Sequence, residues 1–206
     1  QETDHSAAEL GIDRVVWLGY GDSGMTGWEQ NEDPGSFWRA EVDEAAGRLA
    51  DILRDEKADV VVVYDWHGGY GHPDHIQVHR VGHRAADLAG TPKRYEVTFN
   101  RDAMRRMLAE FPFEGEDEFD PNGPADDGNP FGTSESELHL AVDVSEYVER
   151  KRASLAAHAS QVTDIGLFLS MPDEVFRRTF STEWYIEPGA PPGLRQGWLL
   201  DGVGGS

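Results

Sequence analysis

The chain has 206 residues, no cysteine, and 39 acidic against 18 basic side chains, for a formal charge of −21. That balance argues against a nucleic-acid backbone or an anionic membrane as partner, and the lack of cysteine removes disulfides, thiolate metal sites and cysteine nucleophiles. The length suits one sizeable domain, no apolar run reaches the roughly 20 residues of a membrane span, and the expected setting is the cytoplasm.

In chain order, the first residues read as a helix leading to Val15–Tyr20, a short buried strand. A turn-rich loop, Gly21 to Ser36, follows. From Phe37 to Glu56 the apolar residues Trp38, Val42, Ala45, Ala46, Leu49, Ile52 and Leu53 recur at helical spacing. Asp59–Tyr64 is an aliphatic strand. A glycine-rich turn then leads into a helix from Pro73 to about Ala89, since proline suits a first helical position. Arg94–Phe99 reads as a strand and Asp102–Glu110 as a short helix. Phe111–Glu137 is a long acidic loop, densest from Glu114 to Asp127, and serves as a lid or stays disordered. Leu138–Val144 reads as a strand, Ser145 as the cap of a helix Glu146–Ser160, and Thr179–Ile186 as a late strand. The tail from Pro188 carries no strong pattern. The β-α-β-α order predicts an α/β fold, a parallel sheet with helices on its faces.

The chemistry concentrates in Tyr64-Asp65-Trp66-His67-Gly68-Gly69-Tyr70-Gly71-His72-Pro73-Asp74-His75. This loop leaves the carboxyl end of a strand and feeds a helix, where open α/β sheets place ligand sites. Imidazole is the commonest metal-binding side chain and a frequent general acid or base. His72 and His75 are therefore the candidates. His67 reads as an exposed turn residue. His79 and His83 read as a polar stripe or as histidines packed on the sheet, although with His75 they share one helix face.

Val60–Tyr64 with Gly68-Gly69-Tyr70-Gly71-His72-Pro73-Asp74-His75 resembles the second signature of the LmbE / PIG-L family of zinc-dependent N-deacetylases. Leu18-Gly19-Tyr20-Gly21-Asp22-Ser23-Gly24-Met25 is similar to a strand-end loop of that family. Phe37 to Ile52 resembles a helix between its loops, and Val144 to Gln161 its C-terminal helix. The resemblance implies a Rossmann-like, mostly parallel sheet flanked by helices, with a small C-terminal α/β extension. It implies one deacetylase-like domain over 1–206: a core over 1–100 lacking its first strand, an acidic loop region over 101–137, and an extension over 138–206.

The resemblance also implies roles. His75 would bind Zn2+, or another divalent metal such as Fe2+. His72 would stabilise the oxyanion and assist the leaving amine, Asp74 would orient His72, and Tyr70 would reach the substrate carbonyl. Asp22 and Met25 would line the sugar pocket. The implied reaction is metal-assisted removal of an acetyl or similar acyl group from the amide nitrogen of a small N-acetylated sugar, with no nucleic acid or membrane and with a homo-oligomer possible. The family's first signature, Ala-His-Pro-Asp-Asp-Glu, supplies further zinc ligands and a base, and these 206 residues hold no such segment. The alternative is a catalytically inactive sugar-binding or fragment form of the same fold.

Overall fold

Most apolar stretches at helical spacing and most aliphatic runs become the elements expected of them, with shifts at the ends, and Val15–Tyr20 is an exception. The computed structural model describes residues 1–111, 120–158, 166 and 168–203. The elements are α1 (Glu2–Leu10), α2 (Val42–Asp55), β1 (Val60–Tyr64), α3 (Pro73–Ala89), β2 (Lys93–Thr98) and α4 (Arg101–Glu110). They continue with β3 (Leu140–Asp143), α5 (Val148–Ala156), α6 (Asp173–Phe180), β4 (Thr182–Ile186) and β5 (Arg195–Gln196).

The chain forms two compact units, one of residues 1–17 and 143–183, the other of residues 18–142 and 184–206. In the first unit Ser6 and Ser154 share a hydroxyl–hydroxyl bond of 2.6 Å, joining α1 to α5. Arg152 on α5 reaches the Leu169 and Met171 carbonyls and the Asp173 carboxylate at the start of α6.

The second unit carries the sheet, in the order β1-β2-β4-β3-β5. β1 and β2 pair in parallel from Val60↔Lys93 to Tyr64↔Val97, and β3 and β5 are also parallel. β2 and β4 are antiparallel, with Val97 opposite Tyr185. The α/β fold therefore holds, but its sheet is mixed rather than mostly parallel. Among the described residues β1 lies at an edge of the sheet, and Val62 is exposed.

Val15–Tyr20 does not form the expected strand. Among the described residues it has no strand partner, and Trp17 is 73% exposed. A strand exists only through its ladder. Here Gly19 turns the chain at φ 89, and Gly21 exchanges backbone bonds with Gly35 and Phe37 instead. The helix expected from Phe37 is interrupted as well. Phe37–Arg39 is a 3-10 turn, and the Ala40 carbonyl accepts from the buried Gln77 side chain rather than from a helical amide. Ser145 does not cap a helix: its N–H donates to Asp143, it opens a 3-10 turn over Ser145–Tyr147, and α5 starts at Val148. Thr179 belongs to the last turn of α6, not to a strand. Residues 112–119 of the acidic loop and 159–161 of the expected C-terminal helix lie outside the described residues. No helix among the described residues is long and apolar enough to cross a membrane.

What positions the site is the seating of α3. Its inner face and that of α2 meet through Ala45, Ala46, Ala50, Leu53, Val81 and Ala85, all buried. Small residues let the backbones approach, and Gly82 is needed for the same reason: a Cβ there would stand 2.2 Å from Val63 Cγ1 on β1. The helix is thereby held close against the strand whose end feeds the glycine loop.

Candidate active-site loop

The start of α3 is built as expected. Pro73 occupies the first turn, His72 is the N-cap, and Gly90 ends the helix at φ 73. The His72 side chain accepts the Asp74 N–H through Nδ1 at 3.1 Å, satisfying one of the helix's orphan donors. An Nδ1 that accepts carries no proton, so the proton of the neutral ring sits on Nε2. His75 has the opposite arrangement. Its Nδ1 lies 3.1 Å from the Gly68 carbonyl, which can only accept, so Nδ1 bears the proton and Nε2 keeps its lone pair. Burial lowers the His75 pKa below the ordinary imidazole value, against the raising effect of the Gly68 bond. The ring is thus neutral near pH 7, the form that binds metal.

Three of the expected site rings gather here. His72 and His75 have centroids 4.9 Å apart, and Tyr70 stands edge-on to His75 at 5.1 Å and to His72 at 6.2 Å. Tyr64 stacks on His75 at 4.0 Å, and burial holds its phenol above the usual value.

Asp74 is placed differently from expectation. Its carboxylate accepts from the Ser23 N–H at 3.1 Å and from the Ser23 hydroxyl. The backbone N–H of Asp74, not its carboxylate, fixes His72. The carboxylate instead ties the Asp22-to-Met25 loop to the start of α3, and the Thr26 hydroxyl adds a second tie to the Gly71 carbonyl at 3.1 Å. Asp22 is exposed and accepts the Gly24 N–H at 2.8 Å, while Met25 is half-buried.

Asp65 ends the aliphatic strand and carries no role in the sequence pattern. It is fully buried, and its carboxylate accepts from the His67 N–H (3.2 Å), the Gly69 N–H (2.8 Å), the Thr98 hydroxyl and the Thr133 hydroxyl (3.4 Å). His67 is not the exposed turn residue expected. It is 1% exposed, with Nδ1 3.4 Å from the Asp127 carboxylate and Nε2 3.4 Å from the Gly132 carbonyl. The described part of the long acidic loop closes over this turn: Asp126 N–H reaches the Tyr70 carbonyl at 3.0 Å and Gly132 N–H the Gly69 carbonyl at 2.7 Å.

Gly68 sits at φ 69, and a Cβ there would lie 2.4 Å from the Cβ of His75. Gly68→Ala combines left-handed strain with overpacking, so a loss of about 2–4 kcal/mol is expected. Denaturant unfolding measures it, and an unchanged midpoint would refute the packing argument.

A separate group of metal-ligating side chains lies further along α3. His79, His83 and Glu96 each place a ligand atom within 4.8 Å of the others. Among the described residues no such group of three includes His75.

The fold and site define an α/β protein with a glycine-loop histidine pair at a strand end. The model of the family described as PIG-L, GlcNAc-PI de-N-acetylase, matches residues 1–86. A 1D-myo-inositol 2-acetamido-2-deoxy-alpha-D-glucopyranoside deacetylase of Streptomyces griseus is 39% identical over 95% of this chain and 66% of its own length. Proteins of the same name from Streptomyces avermitilis (38% identical; 95% and 72% covered) and Thermomonospora curvata (34%; 99% and 75%) are similar too. The chain belongs to the PIG-L deacetylase family. It spans about two thirds of the length of the curated relatives it matches.

Proposed function

We propose that this chain serves in a cytoplasmic, zinc-dependent N-deacetylase acting on a small N-acetylated amino sugar linked to a polyol. The observation that carries this reading is the opposed protonation of neighbouring rings. Nε2 of His72 carries a proton to donate, and Nε2 of His75 carries a lone pair to give a metal. The names of the relatives support the substrate class.

His75 fits one position of a zinc site, and Fe2+ also suits such donors. The other ligands and the base would come from outside the described residues around His75. A bound metal would lower the pKa of its water and polarise the acyl carbonyl. His72 Nε2–H and the Tyr70 hydroxyl would donate to the developing oxyanion, and His72 would pass its proton to the leaving amine. Asp74, through Ser23, would hold the loop that presents Asp22 and Met25 to the sugar, with Asp22 accepting from hydroxyls.

The test uses the full-length natural protein, reading bound metal and acetate release from N-acetylglucosaminyl-inositol. The expected result is stoichiometric zinc and turnover in the wild type. His75→Ala should lose the metal held at this loop, with a rate loss of about 10²-fold or more. Absence of acetate release from any N-acetylated amino sugar would sink the reading and favour the inactive sugar-binding form.

A further inference from the structure

We propose that His79, His83 and Glu96 form a second divalent transition-metal site, distinct from His75, that fastens α3 to β2. Glu96 lies in the middle of β2 and is 8% exposed. A carboxylate that deep needs a cation or donors. Its partners are two imidazoles: His83 Nε2 at 2.8 Å and His79 Nδ1 at 3.8 Å. The two rings come from one face of α3, four residues apart, and stand 4.5 Å apart edge to face.

The spacing suits an ion. Ligand atoms about 2.0–2.2 Å from a tetrahedral centre are about 3.4 Å from one another. His83 Nε2 and the Glu96 carboxylate stand 2.8 Å apart, and one ligand atom from each of the three residues falls within 4.8 Å of the rest, a spread that closes around an ion with small side-chain shifts. His79 is also oriented from behind. Its Nδ1 donates to the Tyr64 carbonyl at 3.0 Å, the arrangement that fixes the tautomer of metal-bound histidines and leaves Nε2 for the ion. Two imidazoles and one carboxylate select Zn2+, Co2+, Ni2+ or Cu2+ over Mg2+ and Ca2+. His83 lines a cavity of about 520 Å³ with Pro92, Lys93, Arg94 and Glu187, which gives an ion a way in. Binding displaces the proton that His83 Nε2 now directs at Glu96, and that proton leaves to solvent or moves to Nδ1.

The proposal does not depend on deacetylation, and its test needs no substrate. Full-length protein stripped with chelator is titrated with Co2+ and Zn2+, following heat of binding and the visible absorption of bound Co2+. His75→Ala is expected to keep one equivalent with the spectrum of an imidazole–carboxylate site. His83→Ala and Glu96→Gln are each expected to lose that equivalent or to weaken it about tenfold or more. Gln keeps a hydrogen bond to His83, so Glu96→Gln retains the fold, which circular dichroism checks. Loss of all binding in His75→Ala, or wild-type binding in Glu96→Gln, would overturn the site. Failure of acetate release with this binding intact would count only against the deacetylase reading.

Discussion

Asp65→Ala is expected to destabilise the protein by roughly 3 kcal/mol and to loosen the loop that carries Tyr70 and His72. The carboxylate is fully buried and is the common acceptor of two loop amides and two threonine hydroxyls. Removing it strands the His67 and Gly69 N–H groups, and each buried unsatisfied donor costs about 1–3 kcal/mol. The threonines suffer less, because Thr98 and Thr133 lie 3.0 Å apart and can bond each other. Asp65→Asn separates acceptor loss from volume loss. Its single oxygen can still serve the two amides while its NH2 faces the threonine oxygens, so a cost of only about 1 kcal/mol is expected. Denaturant unfolding of both variants measures the difference. Equal costs, or an alanine cost below 1 kcal/mol, would show that the network does not hold the loop.

That network marks the boundary of what sequence could show. The glycine loop, the start of α3 and the pairing of His72 with His75 were legible because their signals are local: an aliphatic strand, glycines, Pro73 at a first helical position. The Asp65 cage was not, because Thr98 and Thr133 lie 33 and 68 residues away. Glu96 was overlooked for the same reason, as its value as a ligand depends on which face of α3 sits over β2. Val15–Tyr20 has the composition of a strand, but composition cannot supply the neighbour that a ladder requires. α6 could have been found: Val175, Phe176, Thr179 and Phe180 repeat at helical spacing after Pro172, yet the β-branched and aromatic run that follows drew Thr179 into a strand. The protonation of the two imidazoles rests on single backbone groups, the Asp74 amide and the Gly68 carbonyl. No residue pattern encodes those contacts.

In the proposed deacetylation, His72→Ala is expected to lower kcat of the full-length protein by about 10²–10³-fold, the range found when one oxyanion donor is removed, with bound metal retained and KM little changed. Alanine alone is ambiguous, however, because His72 has two tasks. Its Nδ1 caps α3 by accepting the Asp74 N–H, and loss of a cap costs about 0.5–2 kcal/mol. A weakened cap could also shift His75, which sits three residues further along, and so mimic a catalytic defect. His72→Asn separates the tasks. Asparagine is among the best N-cap residues, so its side-chain oxygen can take the Asp74 amide and return the thermal midpoint toward that of the wild type. It offers no imidazole to donate to the oxyanion or to protonate the amine. If His72 acts on the reacting carbonyl, the asparagine variant regains stability but not rate. Recovery of both would assign His72 to capping alone and leave the oxyanion to Tyr70 and the metal.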